Sequence, residues 1–469
     1  MADITIICIT NEITGLKGFF MNTLINTYID QHLDEYIAEL NTLLKIPSIS
    51  AQGKGIPETV ELVKSMLEKR GLAVQIYETA GNPVVVGRGS GISDKTLMYY
   101  NHYDVQPPEP LDLWTSPPFE PEIRDGKLFA RGAGDDKGEF VSRLAALDAV
   151  LEANDGKLPC NVIFVVEGEE EIGSPNLAPF VINNADDLAC DACIWEFGGV
   201  DDKGHPTGYL GLRGALMVEL FVKTMSRDAH SGEAHVLPSA SWRLVRALNT
   251  LKDDEEHILI EGFYDNIMTP SEGDKKLFAQ LPEWESDYKE RYEIDTFVNG
   301  LTGEAFREAV FNPTCNIEGI TTGYQGDGGK TVIPSTASVK IDFRLVPGQD
   351  VDDIEQKLKA HLAQYGFADI DVVRHGGIAP YKQEAGNSFV NLITETGTEV
   401  FGKEMVINPL IGGSGPIALF GDTLNIPIGF AGVNYPGGKF HAPDEHIILD
   451  VFVMGCKHNA HILNRFAEV

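Results

Sequence analysis

A chain of 469 residues with 43% hydrophobic and 23% charged positions is long enough to bury two cores of ordinary domain size. Its 37 Lys and Arg against 70 Asp and Glu give a formal charge of −33, which repels nucleic acid and anionic membrane surfaces and excludes both as expected partners. Six scattered cysteines are too few for a disulfide framework in so long a chain, so a reducing, cytoplasmic compartment is expected.

Residues 1–20 hold apolar stretches such as Ile6 to Ile9. Asp3, Asn11 and Glu12 interrupt or flank them and no basic segment precedes them, so no secretory signal is expected. No apolar run approaches the length that spans a bilayer. A helical pattern begins only near Met21, which sets the first twenty residues apart as an appendage. Ile29, Leu33, Tyr36, Ile37, Leu40, Leu43 and Leu44 then recur at helical spacing, and Pro57 to Arg70 reads as a second helix opened by proline and closed by Gly71. Thr96 to Tyr100, Asn161 to Val166, Ala192 to Phe197 and Ile426 to Val433 are the predicted central strands, with a helix over Phe140 to Leu151 between the first two. That alternation predicts an α/β fold with a mostly parallel sheet. Cys190-Asp-Ala-Cys193 has the spacing of half a zinc site, but no second pair exists, and buried, unpaired thiols are expected.

Between about Gly208 and Ala379 the pattern changes. Ala215 to Lys223 and Ala337 to Leu345 alternate like half-buried strands, Ser239 to Leu251 and Val351 to Leu362 are helical, and Ile370 to Arg374 is a further strand. An inserted α+β domain with an antiparallel sheet follows, and the stretch from Glu261 to Phe311, rich in acids and aromatics, is expected to be its helical elaboration.

Four short segments carry the chemistry: Asn101-His-Tyr-Asp-Val-Gln-Pro107, Arg131-Gly-Ala-Gly-Asp-Asp-Lys-Gly138, Glu167-Gly-Glu-Glu-Glu-Ile-Gly-Ser174 and Phe440-His-Ala-Pro-Asp444. Their His102, Asp104, Asp135, Glu170, Glu171 and His441 are residue types that zinc or manganese accepts, and two such ions sharing a water hold it as hydroxide near neutral pH. A lone histidine is more often a core or surface residue. Here the candidates fall after predicted strands, joined by Glu196 on the third, at the edge where open α/β sheets bind ligands. A hydrolase is the first reading.

With Asp228-Ala-His-Ser-Gly232 and Arg344-Leu-Val-Pro-Gly348 following in order, the chain resembles the M20 family of dinuclear metallopeptidases, most closely its carnosine and cysteinylglycine dipeptidase branch, from about residue 25 onward. The resemblance implies a zinc-peptidase-like catalytic domain over residues 1–207 and 380–469, interrupted by a lid and dimerisation domain over 208–379. It implies two divalent ions per subunit, zinc or manganese, with Asp135 bridging them, Glu171 and His441 completing one and His102 and Glu196 the other. Two such ions against three carboxylates and a hydroxide leave the cluster near neutral. The resemblance makes Glu170 the general base and Asp104 the carboxylate that fixes the His102 ring, and it implies a cis peptide between Asp135 and Asp136. His230 would stabilise the oxyanion in a partner subunit of a homodimer, while Arg344, His375 and Ser414 would grip the substrate carboxylate. Glu169 departs from the family's apolar residue and is expected to face solvent. Lys137 and Asp136 are expected to position the bridging loop, and His235, His446 and His458 to be structural or exposed.

The implied reaction is hydrolysis of a small peptide by a metallodipeptidase. Deacylation of N-acyl amino acids by the same centre is the alternative, and a non-catalytic binding protein of the same fold is a third reading, though no ligand or base is missing from the sequence.

Overall fold

The computed structural model describes residues 20–469; the appendage expected over the first residues, Cys8 included, lies outside the described residues apart from Phe20. The chain forms two compact units. One comprises the chain up to Leu210, Glu384–Asn408 and Leu419–Val469, and the other comprises Gly211–Gln383 and Pro409–Ala418.

The first unit is built on a six-stranded sheet. Its strands are β1 (Ala73–Tyr77), β2 (Val84–Gly89), β3 (Gly91–His102), β4 (Leu158–Glu167), β5 (Ala192–Trp195) and an edge strand, Ile428–Phe430, in the order β1-β2-β4-β3-β5-edge. β3 runs parallel to β4 and β5, and the edge strand parallel to β5, while β2 is antiparallel to both its neighbours. Only β2 therefore runs against the rest. Residues 84–86, 97–100, 162–166 and 192–195 are buried throughout, because helices cover both faces of a sheet of this kind and leave no wet side for alternation. β1 and β2 escape the sequence pattern because Gln75, Gly87 and Arg88 break their apolar runs.

Helices α1 (Leu33–Leu44) and α2 (Ile56–Glu68) present Leu40, Leu43 and Leu44, and Val60, Val63 and Leu67, to the core at the expected spacing. Gly71, at φ +76°, turns the chain after α2. Helix α3 (Lys137–Ala153) is buried on nearly every side, flanked by α1 and by the C-terminal helix Leu449–Arg465, and its first turn follows directly on Asp135 and Asp136. Cys160, Cys193 and Cys456 are buried free thiols, and Cys190 is a partly buried one.

The second unit has an antiparallel sheet of β6 (Gly214–Lys223), β7 (Thr314–Thr322), β8 (Thr336–Leu345) and β9 (Asp371–Ile378), ordered β7-β8-β6-β9. On β6, Leu216, Val218, Leu220 and Val222 are buried with helices α4 (Ala240–Leu248) and α5 (Val351–Gln364), and the residues between them are only partly covered. Ser239 and Asp350 cap these helices by accepting the N–H groups of Trp242 and Asp353. Strand β7 is missed by periodicity because most of it is exposed and threonine-rich. The 261–311 stretch carries three short helices, Glu272–Gln280, Glu285–Tyr292 and Gly303–Glu308. Pro409–Ala418 belongs with this unit, so Ser414 sits in the same unit as Arg344. Among the described residues no helix is long and apolar enough to cross a membrane.

His458, on the C-terminal helix, is 2% exposed, and its Nε2 lies 3.0 Å from the Ile393 carbonyl. Burial lowers its pKa from 6.5 to about 4. The folded chain thus holds it neutral while the unfolded chain protonates it, so stability is lost as pH falls from 6.5 towards 4. Denaturant titration of the chelated protein at pH 7.5 and 5 should show a loss about 2 kcal/mol smaller in His458→Gln than in the wild type.

Candidate metal centre

The candidate residues of the first unit converge at the C-terminal ends of its parallel strands. His102 is the last residue of β3, Glu170 and Glu171 form a single 3-10 turn three residues past β4, and Glu196 follows β5 directly. Asp135 stands at the mouth of α3, where the positive end of the helix dipole suits a carboxylate. His441 lies in the loop after the edge strand, at φ +61°, with Lys439 and Asp444 also left-handed. Non-glycine residues seldom adopt that region, and such strain gathers at functional loops. Asp444 is anchored there by Thr115, whose N–H and Oγ1 each donate to it at 2.8 Å.

The Asp135 carboxylate faces two ways. Its Oδ1 lies 3.0 Å from His102 Nε2 and its Oδ2 3.0 Å from His441 Nε2. Glu171 Oε2 is 3.2 Å from the same His441 nitrogen, and Glu196 Oε2 is 3.9 Å from His102 Nε2. Two donor sets with ligand atoms mutually within 4.8 Å result: Asp135, Glu171 and His441, and His102, Asp136 and Glu196. Asp136, expected only to position the bridging loop, is thus itself a member of one donor set. Its Oδ2 accepts from Asn101 Nδ2 (2.6 Å) and from the His102 N–H (3.0 Å), and its buried Oδ1 has no hydrogen-bond partner. The peptide between Asp135 and Asp136 is cis, as the resemblance implies.

Buried carboxylates without enough donors are costly, and this cluster is short of positive charge. Burial would raise the Asp135 carboxyl, but hydrogen bonds from His102 and His441 outweigh it and hold the group below the usual carboxylate range. The same contacts, with those of Asp104 and Glu171, raise both histidines, His441 to about 10. Burial pushes Glu170 up to about 8 and Glu196 well above its ordinary value, the latter raised further by Glu170. Glu196 Oε2 has no hydrogen-bond partner. Orphaned buried oxygens, flanked by imidazoles able to coordinate once neutral, fit divalent cations.

Asp104 does more than the sequence suggests. The His102 ring nitrogen Nδ1 is 3.1 Å from the Asp104 carbonyl and 3.3 Å from Oδ1, while the two carboxylate oxygens accept the N–H groups of Glu170 (3.2 Å) and Glu171 (3.1 Å). One fully buried side chain therefore sets the imidazole and the turn that carries both glutamates. Glu171 also accepts the Gln106 N–H at 3.0 Å, a use of the Gln-Pro segment that no motif announced. The expectation for Glu169 is corrected: it is 6% exposed, because the Asn82 N–H (3.1 Å) and Asn176 Nδ2 (2.8 Å) satisfy its carboxylate in place of water.

The remaining candidates belong to the second unit. His230 is exposed, and its Nδ1 accepts the Gly232 N–H at 3.0 Å. Arg344 donates from Nη1 to Ser414 Oγ (3.0 Å) and from Nε to Asp342 (2.9 Å). His375, on β9, has its Nε2 3.2 Å from Glu219.

A two-faced carboxylate between imidazole and carboxylate donors, at this edge of an α/β sheet, is the site of a metallohydrolase. Residues 98–465 match the model of Peptidase family M20/M25/M40, more than half of the chain, and the chain belongs to that family. It is 29% identical to the Cys-Gly metallodipeptidase dug1 of Schizosaccharomyces pombe over 70% of this chain and 73% of that protein. It is 31% identical to the Beta-Ala-His dipeptidase of Mus musculus over 58% of this chain and 56% of that one, and so spans little more than half of the latter's length. Among solved structures, the M20 family metallo-carboxypeptidase Sso-CP2 from Sulfolobus solfataricus superposes with a TM-score of 0.88 at 35% identity, covering 93% of this chain and all of that one.

Replacing Asp104 by Ala strands the Glu170 and Glu171 amides. The expected outcome is a loss of about 2–5 kcal/mol of stability and faster amide hydrogen exchange confined to residues 168–173. Mass spectrometry of peptic fragments checks both location and extent.

Proposed function

We propose that the protein is a metal-dependent dipeptidase that binds two divalent ions, zinc or manganese, per subunit. The single observation that carries this reading is Asp135 presenting one oxygen to each histidine. We assign His102 and Glu196 to one ion, Glu171 and His441 to the other, and Asp135 to both. Ions so held supply Lewis acidity to the scissile carbonyl and a water acidic enough to attack near neutral pH. Glu170, buried beside them with its carboxyl raised by desolvation, takes the proton of the attacking water and returns it to the departing amine. Asp104 keeps the His102 ring and the Glu170 turn in place throughout. Arg344 and Ser414, with His375 a further donor on the same sheet, take the substrate's terminal carboxylate.

His230 is assigned to the oxyanion. Its Nδ1 accepts the Gly232 N–H, so Nε2, 3.4 Å from Thr331 Oγ1, is the ring nitrogen that carries the proton to donate. We place it in the site of a second copy of the chain, in a homodimer joined through the second unit. We take the protein to be a cytoplasmic enzyme acting on small peptides.

The carboxypeptidase relative at 35% identity favours a second reading, release of the last residue from longer peptides. Both reactions cut the amide next to a free carboxylate. A panel of Ala-Gly, Cys-Gly and β-Ala-His, N-succinyl amino acids and an amino-blocked pentapeptide separates them, with zinc or manganese supplied. Rapid turnover confined to the free dipeptides is expected, and preference for the pentapeptide would establish the second reading instead. Glu170→Gln should retain both ions by elemental analysis while losing at least about 10²-fold in kcat. Mixing inactive His230→Ala with inactive Glu170→Gln should restore about a quarter of wild-type activity if each site is completed by its partner. No restoration after subunit exchange would place His230 outside the partner's site.

A further inference from the structure

The metal ligands of the first unit sit on separate chain segments, and the two donor sets are tied to Asp135 by different clamps. On the His102 side the tie is Asp136, whose Oδ2 accepts from Asn101 Nδ2 and the His102 N–H. On the His441 side it is Glu445, four residues past that histidine. Glu445 is fully buried, and its Oε1 accepts the N–H groups of Gly134 (3.1 Å) and Asp135 (3.2 Å). Its Oε2 accepts Gly132 N–H (3.1 Å) and Arg131 Nη1 (2.6 Å). Its own carbonyl accepts the Ala130 N–H at 3.1 Å. One residue thus takes four of the six backbone N–H groups of the loop from Ala130 to Asp135, those of Arg131 and Ala133 going to the Pro118 and Ala130 carbonyls.

The loop's glycines belong to this arrangement. Gly132 is left-handed at φ +85°, and a side chain at Gly134 would put a Cβ 2.4 Å from the ring of Phe440, the residue before His441. The bridging loop and the His441 loop therefore lie in direct contact, and the pairing of His446 with Phe129 fixes their register.

We infer that Glu445 is the positioning residue of one half of the metal centre: it sets Asp135 Oδ2 against His441 and so governs the ion held by Asp135, Glu171 and His441, and not the ion on the His102 side. This rests on the two-ion reading above. A purely structural carboxylate would affect both ions alike through global stability. A clamp on one side affects one ion selectively.

Calorimetric titration of zinc into the stripped full-length protein tests this, with Glu445→Gln, Glu445→Asp and His441→Ala compared with wild type. Glutamine replaces one acceptor oxygen by an NH₂ group facing backbone N–H donors. It should weaken, by roughly ten- to a hundredfold, the same ion that His441→Ala loses, and leave the other at wild-type affinity. Far-UV circular dichroism and the thermal midpoint report folding. If the glutamine variant does not fold, Glu445→Asp, which keeps the acceptors but draws them back by one methylene, should show the same selective loss. Equal weakening of both ions, or wild-type binding of both, overturns the assignment and leaves the two-ion reading standing. A wild-type protein that binds fewer than two ions overturns that reading and this inference with it.

Discussion

Like-charge repulsion among buried carboxylates is the constraint on which the rest depends. Asp135, Asp136, Glu170, Glu171 and Glu196 meet at one edge of a sheet with two imidazoles between them, and two of their oxygens, Asp136 Oδ1 and Glu196 Oε2, have no donor to receive. In a medium that screens poorly, such an assembly stands only if cations enter it or protons neutralise it. The raised Glu170 and Glu196 and the raised His102 and His441 are the two halves of the protonated answer. Divalent ions are the other answer, and they free the imidazoles to act as ligands.

The fold bears the cost of gathering those charges. Parallel strands end together, so His102, the Glu170 turn and Glu196 arrive at one level, and the helix that follows Asp136 adds its positive end. Backbone N–H groups then do much of the holding. Asp104 collects those of Glu170 and Glu171, Asp136 that of His102, and Glu445 those of the bridging loop. Asp104 thereby fixes the turn of Glu170 and Glu171, Asp136 the backbone of His102 and Glu445 the loop that ends at Asp135, although Asp136 keeps one buried oxygen without a partner.

The ligand types and the strands that carry them were legible in the sequence, because buried parallel strands read as unbroken apolar runs and the acids and histidines interrupt them abruptly. Helices α1, α2 and α5 were legible for the same reason of period. What escaped depends on contacts distant in sequence. β1 and β2 carry polar interruptions, and β7 is exposed over most of its length, so no alternation marks any of them. Glu445 sits beside a motif but declares its role only through donors some 310 residues earlier in the chain. Glu169 looked like a solvent group because the amides that satisfy it come from separate turns, at Asn82 and Asn176.

The two-sided Asp135 carboxylate is tested most directly by diffraction from crystals grown with zinc, with anomalous data collected on both sides of the zinc absorption edge. Two peaks are predicted, about 3.5–4 Å apart, one on each oxygen of Asp135, with His102 and Glu196 on the first and Glu171 and His441 on the second. A single peak, or two peaks with Asp135 bound to only one of them, would contradict it.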